Sequence, residues 1–113
     1  MENISSSLTE TTFFILFSLA INPRHGYSII KEVENLSEGR IKMATGTLYI
    51  AIKRLLDFGW IERYQEENEK KDGNRERKYY CLTEVGRQIL QAELVRLRKL
   101  VKMAGDFKLG EEL

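Results

Sequence analysis

Residues 39–65 read GRIKMATGTLYIAIKRLLDFGWIERYQ, and within them a helix, a stop and a strand follow one another with no residue to spare. At 100° per residue, Leu48, Ala51, Ile52, Leu55 and Leu56 fall on one side of a helix over 45–58. Gly46, Ile50, Lys53 and Asp57 fall opposite, with Tyr49 and Arg54 on the flanks. The spacing therefore predicts a helix with a genuine outer face. Thr45 is the expected cap and Gly59 the expected end. Residues 61–65 and 77–82, rich in aromatic and β-branched side chains, predict two strands. The polar stretch 66–76, which contains Asp72-Gly73-Asn74, makes them a hairpin with a long tip. Trp60, where the hairpin begins, is expected to pack it onto the helices.

Upstream, Ser7 and Glu10 fit a capping box. They precede an apolar run, Phe13 to Ala20, that ends near Asn22-Pro23 and is hydrophobic on nearly every side. A helix of that kind belongs in the middle of a core. A second helix is expected over 26–36, with Ile29, Ile30, Val33 and Leu36 at helical spacing and Gly39 as its stop. His25, between Pro23 and Gly26, is expected to anchor a turn by hydrogen bonding. Downstream, Thr83-Glu84 opens a last helix reaching about Ala104. Its apolar residues form two sets. Val85, Ile89 and Ala92 share one side, while Leu90, Leu94, Leu97, Val101 and Ala104 repeat at alternating spacings of four and three, a heptad seam. Two stripes need two surfaces, so the seam is expected to bury itself against a second copy. The other reading is an amphipathic helix folded back on its own domain.

The chain is mainly helical with a small hairpin, and its order is that of a winged helix-turn-helix followed by a dimerisation helix. The divisions expected are a loose tail over 1–7, the winged domain over 8–83, the dimerisation helix over 84–104 and a second tail over 105–113. Its 113 residues and 42% hydrophobic content suit one ordered domain. A single Cys, Cys81, and a single His leave no internal disulfide and no ligand set for a structural metal, so no metal or cofactor is expected. No apolar run is long enough for a membrane span, and a reduced, cytoplasmic protein is the expectation.

The net charge of +1 hides two local concentrations. Residues 39–56 hold Arg40, Lys42, Lys53 and Arg54 with no acidic residue, a local +4. Residues 70–78 hold Lys70, Lys71, Arg75, Arg77 and Lys78 against Asp72 and Glu76, a local +3. Both lie on the elements that would touch a duplex. Phosphate binding needs positive charge on one face rather than a positive total.

The segments LTETTFFILFSLA (8–20), PRHGYSIIKEV (23–33), ATGTLYIAIKRLLDFGWIE (44–62) and NRERKYYCLTEVGRQIL (74–90) strongly resemble the PadR family of bacterial transcriptional regulators. The most specific matches are His25-Gly26-Tyr27, Gly46-Thr47-Leu48-Tyr49, and Arg77-Lys78-Tyr79-Tyr80 leading into Leu82-Thr83-Glu84 and Gly86. The resemblance implies a winged-helix DNA-binding domain and a C-terminal helical dimer region. It implies a repressor relieved by a small molecule or a stress signal. A chain this short is similar to the subfamily whose dimer region is one helix. The implied partners are double-stranded DNA with a pseudo-palindromic operator and a second copy of the chain, with room left for a small hydrophobic effector.

The resemblance also assigns roles. Thr45, Gly46 and Thr47 would approach a phosphate with short side chains and free backbone N–H groups. Tyr49 would bond to a phosphate or lie beside a base, or else seal the core edge. Lys53 and Arg54 would make groove and phosphate contacts, with Lys42 beside them. Tyr27 and Lys31 would contact the backbone. In the hairpin, Lys70, Lys71, Arg75 and Arg77 are phosphate candidates, whereas Tyr80 and Leu82 point to the core. Glu76 interrupts the basic run. Ile50 stands where a polar residue or proline is the family's habit; it either meets a thymine methyl or reads no base. The last helix offers no aromatic residue before Phe107, which leaves the effector question open. A winged helix that binds a protein instead of DNA is the competing class. An enzyme is disfavoured, since no nucleophile–base pair, ligand cluster or phosphate loop is present.

Overall fold

A computed structural model describes residues 8–64 and 78–107. Its elements are α1 (Glu10–Ile21), β1 (Arg24–His25), α2 (Gly26–Leu36), α3 (Thr45–Phe58), β2 (Ile61–Tyr64), β3 (Tyr79–Leu82) and α4 (Glu84–Asp106). Ile15, Leu16 and Leu19 of α1 are buried, and Phe13, Phe14 and Phe17 pack partly against them, so α1 is the central helix its all-round apolarity requires. Ile29 and Val33 of α2, Leu48, Ile52 and Leu55 of α3, Trp60, Ile61, Tyr80, Leu82 and Leu90 complete one core. The cap of α1 is Thr9 rather than Ser7: the Thr9 hydroxyl accepts from the Thr12 N–H at 3.1 Å. Glu10, expected to reach back in a capping box, is instead held bidentately by Arg40.

The sheet has three antiparallel strands in the order β1-β3-β2. The hairpin is as expected over its described part, with Ile61 opposite Leu82 and Tyr64 opposite Tyr79. The extra strand β1 pairs Arg24 with Tyr80 and His25 with Tyr79. A two-residue strand has no periodicity to read. Its anchor is Arg24, whose Nε donates to the Ser18 carbonyl at 2.9 Å and whose Nη1 donates to Ser28 Oγ at 3.1 Å. Next to it His25 caps α2, its Nδ1 accepting from the Ser28 N–H at 3.3 Å.

Helix α3 keeps its expected bounds but not its expected cap. Ala44 is the cap residue, with no side-chain hydrogen bond, and Thr45 is already inside the first turn. The C-terminus is as expected: Gly59, at φ 77°, turns the chain left-handed, and the N–H groups of Gly59 and Trp60 donate to Leu56 and Leu55. Trp60 is 5% exposed, against Phe58 at a ring separation of 4.8 Å.

Helix α4 is pinned to that turn. The Thr83 N–H donates to the Trp60 carbonyl at 3.0 Å, the Thr83 hydroxyl donates to the Gly59 carbonyl at 2.6 Å, and the same hydroxyl caps α4 by accepting from Gly86. Gly86 lies so close to Trp60 that a Cβ there would overlap the Trp60 carbonyl oxygen and stand 2.9 Å from its carbon. This contact sets which side of α4 faces the domain. The inward stripe is Gly86, Leu90 and Glu93, with Glu93 bonded to Arg96 at 3.0 Å. Leu90, expected at a partner interface, is thus buried in its own core, and Leu94 packs partly against it. Val85 and Ala92, expected to face the domain, are exposed. The helix also runs through Gly105 to Asp106.

Candidate nucleic-acid interface

The side of α3 turned away from the core carries Thr45, Gly46, Thr47, Tyr49, Ile50, Lys53, Arg54 and Asp57, all exposed. Burial of Leu48, Ile52 and Leu55 fixes that orientation. Ile50 sits in the middle of the face, with Gly46 one turn before it and Lys53 and Arg54 one turn after. The cap of α3 is an alanine without a side-chain hydrogen bond, so the cap supplies no acceptor to the N–H groups of the first turn.

Lys42, Lys53 and Arg54 have no ion-pair partner among the described residues. Arg40, counted with them in the sequence, does have one. Its guanidinium bonds to Glu10 across 30 positions of chain and, chiefly through that hydrogen bond, holds the carboxyl below the usual carboxylate range. Three unpaired cations, rather than four, therefore serve this face.

Tyr27 and Lys31 come together on α2, where the Lys31 ammonium stands 5.9 Å from the centre of the Tyr27 ring. Tyr27 is 67% exposed. Tyr49 leans across to the start of α2: a Cβ on Gly26 would overlap its hydroxyl and stand 3.0 Å from the ring carbon that bears it. One edge of Tyr49 thus braces α2 against α3, and the residue is still 42% exposed. In β3, Tyr80 and Leu82 are buried as expected. Lys70, Lys71, Arg75 and Arg77 lie outside the described residues. Cys81 is half-buried and close to Glu62. Burial, with that carboxylate second, pushes its thiol up, which makes it a poor nucleophile at neutral pH.

At the other end of the molecule α4 outruns its domain. Leu100, Val101, Met103 and Phe107 are about half exposed or more, while Leu97 and Ala104 are half-buried. Leu97, Val101 and Ala104 of the expected seam continue the direction of Leu90. The seam is one stripe, buried in the domain at its start and open at its end. No helix among the described residues is long and apolar enough to cross a membrane.

The transcriptional regulator PadR-like family model matches residues 15–92. A crystal structure of a PadR family transcription regulator from Clostridium difficile superimposes with a TM-score of 0.69 at 27% identity, covering 86% of this chain and 96% of that one. Bacillus subtilis PadR in complex with operator DNA gives a TM-score of 0.66 at 23% identity, covering 80% of this chain and 49% of that one, a likeness of fold. The transcriptional regulator YqjI of Escherichia coli is 31% identical over 101 residues, 85% of this chain and 45% of that protein. A 37.1 kDa protein of unknown role from a Streptomyces fradiae transposon is 32% identical over 91 residues, 80% of this chain and 24% of that protein. The chain therefore spans less than half the length of these two curated relatives.

Proposed function

The chain belongs to the PadR-like family of transcriptional regulators, and on that premise we propose that it binds double-stranded DNA sequence-specifically as a homodimer and acts as a repressor. The observation that carries this reading is the outward face of α3, where Lys42 precedes a helix start whose cap gives no side-chain hydrogen bond and Lys53 and Arg54 follow it along the same exposed side, none of the three with an ion-pair partner among the described residues. Such a face suits a phosphate-lined groove, and the regulator of B. subtilis with this fold is bound to operator DNA. An acidic protein partner would also be drawn to these cations and to the helix start; DNA is preferred because the B. subtilis regulator with this fold is bound to operator DNA. Tyr27, Lys31, Lys42, Thr45, Thr47 and Tyr49 flank the duplex, while Lys53 and Arg54 reach into or along the groove.

The dimer rests on the free end of α4. A helix end showing Leu100, Val101, Met103 and Phe107 to water is stabilised by a second copy laid against it. Two copies related by a two-fold axis would present their α3 helices about one helical turn of DNA apart, roughly 34 Å, over a pseudo-palindromic operator. A protein seated there blocks access to a promoter, which makes repression its simplest output. A small hydrophobic effector wedged between the two α4 helices would change that spacing and release the DNA.

The dimer has a direct test. Light scattering should give twice the 13.2 kDa chain mass at micromolar concentration. The double variant Leu97→Glu, Val101→Glu should run as a folded monomer, because neither side chain belongs to the buried core. Its affinity for a two-half-site duplex should fall by at least about 100-fold, since each half-site must then be bound separately. A monomeric wild-type chain would remove the dimer and with it the paired operator.

A further inference from the structure

We propose that Ile50 is the specificity-determining residue of α3 and that it reads the 5-methyl group of a thymine in each half-site. This rests on the DNA-binding reading above and names what is read. Ile50 is 68% exposed, the most exposed large apolar side chain of α3, and it occupies the centre of the helix's outward face. One turn earlier Gly46 has no side chain and would have nothing within 4 Å of a Cβ, so the helix start can approach a groove floor closely. Ile50 is then the first bulky group to meet the base edges. An aliphatic chain without a donor or acceptor cannot pair with the polar edges of guanine, cytosine or adenine. The only apolar feature that the major groove displays is the thymine methyl. Lys53 and Arg54, exposed one turn later and on either side of Ile50, set that chain between two phosphate-seeking arms and fix its depth. Leaving so large an apolar side chain in water gains nothing for the fold, as the core closes on the opposite face through Leu48, Ile52 and Leu55.

The test uses the full chain and duplexes enriched by it from a randomised pool at low salt. In the best duplex each thymine is replaced in turn by deoxyuridine, which keeps the base pair and removes only the methyl group. Wild type should bind about four-fold more weakly at one such position in each half-site, the effect of one lost methyl burial, and be indifferent elsewhere. Ile50→Ala should bind the thymine and the deoxyuridine duplexes equally while keeping its fold by circular dichroism, as expected for a side chain outside the core. Indifference of wild type at every thymine overturns the proposal and leaves the DNA reading standing. Discrimination that persists in Ile50→Ala also overturns it, since the methyl would then be felt through DNA shape. Failure of any duplex to enrich overturns the DNA reading and this proposal together.

Discussion

Replacing Lys53 and Arg54 together by Ala should weaken binding to a selected two-half-site duplex by at least about 100-fold at about 0.1 M salt. Both side chains are exposed on α3, neither has an ion-pair partner among the described residues, and neither belongs to the core. The loss therefore belongs to the interface and should leave the melting temperature almost unchanged. Each cation removed from a phosphate should also flatten the dependence of log affinity on log salt by about one unit. The double variant Arg98→Ala, Lys99→Ala removes the same charge from the exposed side of α4. It should change affinity by only a few-fold, because charges beyond a Debye length of about 10 Å are largely screened. If the two double variants weakened binding equally, the effect would be one of total charge, and α3 would lose its special role. Gel shift or fluorescence anisotropy with circular dichroism as the fold control decides between them.

The largest effect on stability should come from Gly86→Ala. A methyl at that position falls on backbone atoms of Trp60, which cannot rotate away as a side chain can. Relief requires α4 to shift off the Gly59–Trp60 turn, breaking the 3.0 Å and 2.6 Å bonds that Thr83 makes to it. Overpacking of this kind costs about 3 kcal/mol or more, which lowers the melting temperature of a domain this size by more than about 10 °C. Gly26→Ala is the informative comparison. Its methyl meets the Tyr49 hydroxyl, the tip of a side chain already 42% exposed, so the ring can swing outward. The expected cost is nearer 1 kcal/mol, and Tyr49→Phe, which removes the closest atom, should recover part of it. Denaturant unfolding that ranks Gly26→Ala as the worse of the two would mean that α4 is not held at Trp60.

These two glycines also show what could be read from the chain and what could not. The bounds of α2 and α3, the Gly59 turn, the hairpin pairing and the buried places of Tyr80 and Leu82 follow from apolar spacing and turn chemistry, which are local. The face that α4 turns inward does not. It depends on a residue without a side chain, and hydrophobic spacing gives no weight to Gly86. Spacing alone therefore assigns Leu90 to a partner surface, whereas it closes the core. Arg40 fails to be a free cation for a similar reason: its partner Glu10 is 30 residues away and meets it only once α1 and the turn after α2 have packed. Strand β1 is two residues long and owes its place to Arg24 bonding to Ser18. The cap of α3 fell on Ala44 because the Ala44 carbonyl accepts from Leu48 at 3.0 Å, and Leu48 is fully buried. In the interface itself, the outward positions of Lys53, Arg54 and Ile50 were legible because one helix fixes them. The close approach of Tyr49 to Gly26 was not, as it joins two helices.

The central claim is that the outward face of α3, paired with that of a second copy, sits on DNA phosphates. The affinity of the intact chain for its selected duplex, followed as salt is raised, tests it most directly. With Lys42, Lys53 and Arg54 contributed by each of two protomers, affinity should fall roughly 1,000-fold between about 50 and 200 mM salt. No detectable binding at the lower salt, or binding that stays level across that range, would contradict the account.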